Sequence, residues 1–393
     1  MQESQSEVAR VVPVTAGELI ILPEIYDGAL DQGTAPSLSA QVSASVGALR
    51  VALASVDAQL RHLVKLVVHY RQRDCAESTL LAEINAALGV GVKVVITLVP
   101  LTTLARRGQK LQISAIAMSN LQRQHCTLDW LGDPGPSACH GLRCGAFTFT
   151  HGQSASSAQQ AVLFRGDLVS QNRYTLDSLN TILEELGASR ATIVKANSWR
   201  ADAPSEAAYL QAAHDRFEYF AAARPAVTGI TIPGLAPLGY LNRLDVWAMD
   251  GELSRTRYSP AAHWGWKIDT TYSHGLRVGD WLFVGGQAAL TSKCEVSAPG
   301  DLPKQLDLTV AFINQVLSAA DSDVSQLVKL DSYYCADTHA QLPAQIRDAL
   351  GQRAAPAYSH VPVEHLAYPR QVIELEALCY QASAPQEKPY VDT

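Results

Sequence analysis

The segment SHGLRVGDWLFVGGQ (residues 273–287) has a counterpart 134 residues upstream, CHGLRCGAFTFTHGQ (139–153), identical at eight of fifteen positions. A strand entry written twice, one domain length apart, restricts the chain to folds built from like units that cover one another. The repetition has further members. LVKL stands at 63–66 and 327–330, with IVKA at 193–196, so Lys65, Lys195 and Lys329 are 130 and 134 residues apart. AEINAALG (82–89) matches AQIRDALG (344–351). The strand-like segments LQISA (111–115), NRLDV (242–246) and IELEA (373–377) place Ser114, Asp245 and Glu376 at intervals of 131. Three copies of one unit follow, assigned to residues 1–120, 121–250 and 251–393.

Within each copy the periodicity changes in a fixed order. A short strand pair with Gly at its turn comes first, Trp281 and Phe283 alternating onto one face in the third copy. An amphipathic helix follows. Its apolar stripe is Leu176, Leu179, Ile182, Leu183 and Leu186 in the second copy, ended by Gly187, and Val42, Val46, Leu49 and Leu53 in the first. The LVK strand, a second helix and two more strands complete a β-β-α-β-α-β-β unit. The class is α+β, a sheet with both helices on one side. Its other face needs cover, and three copies can cover one another, which predicts a single-chain, three-lobed ring. PAAHWGWKIDTT (260–271), with Trp264 and Trp266, is read as the link between the second and third lobes. The polar tail QASAPQEKPYVDT (381–393) is expected to fray.

Composition narrows the function. Net charge is −7 and pI about 5.9. No basic run of five occurs, so no nucleic-acid partner is expected. MQESQSEVARVV lacks the basic and apolar regions of a secretory signal. The most apolar stretch, LGVGVKVVITLVPL (88–101), is too short to span a bilayer and carries Lys93, so no membrane partner is expected either. Seven cysteines point to free thiols and a cytoplasmic location. Cys139 and Cys144 flank His140, but no second Cys/His pair lies at zinc-like spacing, and no metal is expected. The glycines of GVG (89–91) precede an apolar strand where a dinucleotide fingerprint needs a helix. No cofactor is expected.

TYSHGLRVGDWLFVGGQ, followed by LVKLDSYYCAD and PAYSHVPVEHLAYPRQVIELEA, resembles the Rid family of reactive-intermediate deaminases, also called YjgF. The resemblance covers the third copy, most of the second and, more weakly, the first. It implies a chorismate-mutase-like fold and a homotrimer with three inter-subunit clefts, here fused into one chain that acts as a monomeric pseudo-trimer on a small molecule. The family binds a substrate carboxylate through an Arg in a Pro-Ala-Arg context. The matching positions are Tyr358, Val227 and, in the first copy, Lys93. Since no copy keeps the Arg, an uncharged or aromatic substrate is expected, and ordinary imine deamination should be feeble. The family's closing-strand Glu is matched to Glu376, with Asp245 and Ser114 in the other copies. Its N-terminal Tyr matches Tyr272, its helix Asn falls on Gln345, His214 and Glu83, and its Cys on His360.

The expected catalytic set is therefore Glu376, His360, Tyr358 and Tyr272, with Gly286, Gln345, Asp245, His214 and Lys93 binding substrate. Glu376 would carry a proton, partial burial raising its pKa towards neutrality; the bland alternative is a solvent-facing carboxylate beside Glu374. His360 has the intrinsic pKa of an acid–base group but is equally well read as structural, and His214 on a helix surface is more economically structural. The leading expectation is cofactor-independent hydrolysis or deamination of an imine, enamine or aromatic metabolite. A second enzyme reading rests on a fainter similarity of RPAVTGI (224–230) and VIELEA (372–377) to chorismatases, where the same Glu would protonate an enolpyruvyl group before pyruvate leaves and Arg243, Arg277 or Arg370 would hold the dianion. A third is a non-catalytic ligand-binding module.

Overall fold

The computed structural model describes residues 11–119, 121–260, 263–265, 270–335, 341–351 and 353–382. Trp266 and all but the first two residues of the polar tail lie outside them. Lobe one consists of β1 (Val14–Ala16), β2 (Leu19–Ile25), α1 (Leu38–Ala54), β3 (Leu63–Arg71), α2 (Glu77–Leu88), β4 (Val95–Leu101) and β5 (Leu111–Ala117). Its sheet runs β1-β2-β5-β3-β4. β4 is parallel to β3 and the other pairs are antiparallel.

Lobe two is β6 (Arg123–Cys126), β7 (Gly141–Cys144), β8 (Phe147–Thr150), α3 (Leu168–Glu185), β9 (Ile193–Arg200), α4 (Glu206–Phe220), β10 (Ala226–Thr231) and β11 (Asn242–Met249). Lobe three is β12 (Arg255–Tyr258), β13 (Gly275–Val278), β14 (Trp281–Gln287), α5 (Leu302–Ala319), β15 (Leu327–Tyr334), α6 (Leu342–Leu350), β16 (Ala357–Pro362) and β17 (Ile373–Tyr380). Both six-stranded sheets repeat the order of lobe one, with β6 and β12 added at the far edge. The predicted unit is thus present three times, and the added strands are the departure from it. They are short and largely exposed, so they carry no apolar alternation to read.

Local signals end the helices where the sequence places them. Ser37, Asp167 and Asp301 cap α1, α3 and α5 by accepting from the N–H three residues on. Gly89, Gly187 and Gly351 follow α2, α3 and α6 with φ of +82°, +71° and +77°, a region that costs other residues energy.

The three sheets turn their helix-free faces towards one another. One apolar layer draws on every lobe, including Ile21, Val64 and Ile116, then Phe149, Val194 and Trp247, then Phe283, Val328 and Leu378. A second, containing Val99, Trp199, Ile230, Tyr333 and Val361, lies farther along the same strands. Lys65, Lys195 and Lys329 sit between the two layers. At each junction the edge strand of one lobe meets the hairpin of the next: β4 meets β8, β10 meets β14, and β16 closes the ring on β2. Among the described residues no helix is long and apolar enough to cross a membrane, and all seven cysteines are unbridged.

Candidate active site

Each junction leaves a cleft between the edge strand and helices of one lobe and the hairpin of its neighbour. The strand registers make the three comparable. Opposite Leu330, Ala196 and Leu66 on the LVK strands stand Tyr358, Val227 and Ile96. Lys93 therefore does not occupy the position expected of it. It lies ahead of β4, and its Nζ donates to Pro136 O at 2.8 Å. On the closing strands Glu374, Arg243 and Gln112 are equivalent, as are Glu376, Asp245 and Ser114.

The cleft between lobes two and three has a volume of about 560 Å³. Glu374 lines it, 8% exposed, with Gln371 Nε2 donating to its Oε2 at 3.1 Å. Burial pushes the Glu374 carboxyl up to about 7, and the nearby Glu376 charge adds to the rise. Gly286 lies against it: a Cβ there would meet Glu374 Oε1, so the carboxyl would have to shift. Two guanidiniums share the wall. Arg200, at the end of β9, lies over the Tyr209 ring at 4.9 Å. Arg216, on α4, is 8% exposed and donates from Nη1 to Asn172 Oδ1 at 3.0 Å. Tyr272 also lines this cleft, packed edge-on against Phe217 at 5.1 Å. Burial raises its hydroxyl pKa, and a hydrogen bond with Arg216 opposes the rise. A protonatable carboxylate and two cations thus converge on one concave space, the pattern expected of a site.

The cleft between lobes one and two is larger, about 780 Å³, but its buried arginine and the glutamate beside it are spent on each other. Arg243 Nη1 and Nη2 bond Glu77 Oε2 and Oε1, each at 2.8 Å, and Tyr70 OH donates to the same carboxylate at 2.9 Å. Such a forked pair leaves neither partner for a ligand.

Glu376 and Asp245 lie in none of the clefts. Both are buried near the pseudo-threefold axis, where Glu376 and the three lysines line a cavity of only about 30 Å³. Lys65 of lobe one meets Asp245 of lobe two at 3.0 Å, and Lys195 of lobe two meets Glu376 of lobe three at 2.6 Å. Asn197 Nδ2 also donates to Glu376. The third member of the cycle would pair Lys329 with lobe one, where the equivalent residue is Ser114. Lys329 instead pairs with Asp331 of its own strand. The expectation that Glu376 faces substrate is corrected: it is a buried ion-pair partner, and the carboxylate facing a cleft is Glu374. Sequence alternation assigns both to one face of β17 without telling which end of that face meets the neighbouring lobe.

The remaining expected residues also separate. Tyr358 and His360 line the cleft between lobes three and one, not the one that holds Tyr272 and Gly286. These pairs sit on opposite sides of lobe three, so one lobe serves two clefts. His214 is exposed on α4 beside Glu218, while Ala213 and Arg216 face the cleft. Gln345, half-buried on α6, does not line that cleft, whereas Pro343 and Arg347 do. Arg277 donates to Ala320 O, away from any cleft. Arg200 and Arg216 were not singled out from sequence, although Arg200 breaks the repeat: the equivalent positions are the buried Tyr70 and Tyr334.

The family model for endoribonuclease L-PSP matches residues 138–243 and 267–381, together more than half of the chain and confined to lobes two and three. Among solved structures, a chorismatase covers 81% of this chain and 93% of its own at 14% identity, with a TM-score of 0.54. A Rid-family protein of unknown function from Yersinia pestis (18% identity, TM-score 0.30) covers 33% of this chain and 100% of its own. A putative endoribonuclease L-PSP from Entamoeba histolytica (17%, TM-score 0.29) has the same coverage. No curated protein matches the chain.

Proposed function

We propose that this chain, which belongs to the endoribonuclease L-PSP family, is a small-molecule enzyme whose working cleft lies between lobes two and three. The observation that carries the reading is the convergence of Glu374, raised to about 7, with Arg200 and Arg216 on one cavity wall. The cations answer the missing family Arg: a substrate carboxylate is held from β9 and α4 in place of β10, where Val227 stands. The substrate is then a small, unsaturated, carboxylate-bearing metabolite. A polyanion is disfavoured by the net charge of −7.

For an imine, protonated Glu374 gives its proton to the nitrogen as water adds to the carbon. The carbinolamine then collapses, its C–N bond breaking to release ammonia and leave a carbonyl. Tyr272 orients the substrate through its hydroxyl. Two cations in one cleft, and a chorismatase of similar fold over 81% of this chain, favour a second reading on an enol ether. There Glu374 protonates the terminal enol carbon, water adds to the resulting oxocarbenium, and pyruvate leaves.

The two separate in one experiment, ammonia release from 2-iminopropanoate generated in situ against pyruvate release from chorismate, with Glu374→Gln as control. Release of either product that is lost in Glu374→Gln supports the cleft and selects the reaction. Equal rates in the variant overturn Glu374 as proton carrier. Binding without turnover leaves the ligand-binding module.

A further inference from the structure

The cleft between lobes three and one, about 720 Å³, lies outside the site proposed above and has a different chemistry. Its carboxylate comes from a different strand. The register aligns Glu24 of β2 with Gly286 and Gly152, the glycines that leave room in the other clefts. The position of Glu374 is here Gln112, whose Nε2 donates to His360 O at 3.1 Å. Glu24 is 15% exposed and accepts from His360 N at 2.8 Å through Oε2, while Arg106 Nη1 stands 3.7 Å from Oε1. Burial raises its pKa.

Among the described residues, no deep cation here is free to hold an anion. Arg106 is committed to Asp31 at 2.9 Å and lies on the Tyr26 ring at 3.4 Å. Arg347 is exposed at the rim. At the family's Arg position stands Tyr358, which lines the cavity and whose buried hydroxyl has no hydrogen-bond partner among the described residues. Its ring stacks on His360 at 5.8 Å and 15°. His360 Nδ1 is engaged by Ser332 Oγ at 2.8 Å, and burial lowers the ring to about 4, so it is neutral at physiological pH. Stacked neutral rings, an orphaned hydroxyl and a carboxylate oxygen beside them fit a flat molecule with one polar edge.

We infer that the cleft between lobes three and one is a second ligand site, taking a planar, uncharged aromatic molecule that carries an N–H or O–H donor. The donor meets Glu24, the ring lies against Tyr358 and His360, and the Tyr358 hydroxyl gains its missing partner.

The test uses the full chain with phenol and indole as probes, benzoate as the anionic comparison, and Tyr358→Phe and Glu24→Gly as variants. Glu24→Gly installs the residue of the other two lobes. Saturable binding by ligand-observed NMR is expected for phenol or indole, with Kd on the order of 0.1–1 mM for fragments of this size. Tyr358→Phe should weaken it by about 3- to 10-fold, one neutral hydrogen bond, and Glu24→Gly by at least as much. Neither variant should alter turnover in the cleft between lobes two and three, so failure here is distinguishable from failure there. Absence of saturable binding by both probes, equal affinity in both variants, or benzoate binding that Glu24→Gly leaves as strong as that of phenol, would overturn the inference.

Discussion

Glu374 and Glu376 are two residues apart on one face of one strand, and their surroundings assign them opposite work. Glu376 is a full ion-pair partner of Lys195, so Glu376→Gln leaves a buried ammonium without its carboxylate and should destabilise by about 3–5 kcal/mol in a denaturant titration. Glu374→Gln should instead lower turnover by roughly 10²- to 10⁴-fold with the fold intact. If Glu374 is the proton donor, kcat/KM should fall as pH rises above about 7, and that limb should vanish in the variant. Stability carries the same signature. A carboxyl at 4.5 when unfolded and about 7 when folded contributes stability that is complete below 4.5 and lost as pH rises to 7. The parent should therefore lose stability relative to Glu374→Gln across that window, and parallel profiles would show that Glu374 is not buried as described. At this scale the sequence was only partly legible. It marked β17 as the strand bearing the carboxylates but could not rank the two. Tyr272 and Tyr358 looked like one set because sequence does not show that they face different neighbours.

Among the elements, helices and central strands were readable because apolar period and terminal glycines agree, as in α3 with Gly187. β6 and β12 were not, since their role lies in a single side chain each. Arg123 donates to Leu63 O at 2.6 Å and Lys93 O at 3.0 Å, and Arg255 to Ile193 O at 2.7 Å and Ala223 O at 3.3 Å. Each ties its lobe to the carbonyls of the lobe before it. Arg255→Met keeps the stem but frees those carbonyls, and a loss of about 1.5–3 kcal/mol is expected, read as a lowered Tm. An unchanged Tm would mean that water satisfies the carbonyls equally well.

The repeat made the whole molecule the most legible level, because three like units with one uncovered sheet face have few ways to assemble. Hidden from sequence was the axial cycle, where each lysine looks to the next lobe for its counter-charge and the third finds Ser114. Asp331→Asn should leave Lys329 buried and unpaired, at a cost of about 3–5 kcal/mol. Ser114→Asp in that background should recover most of it, because Ser114 lines the same axial cavity as Lys329. A double-mutant cycle reads the coupling, and additive effects would refute the compensation. The closed ring is also expected to sediment as a monomer, and an obligate trimer of whole chains would contradict it.

That axial exchange makes the three lobes non-interchangeable. A trimer built only of lobe two would bury three lysines against three aspartates. A trimer of lobe one would bury three lysines with no acid on the closing strand, and one of lobe three would carry two acids for every lysine. The axial charge balance of Lys65, Lys195 and Lys329 therefore needs one copy of each lobe, and copies of lobe one or lobe three alone would not reproduce it.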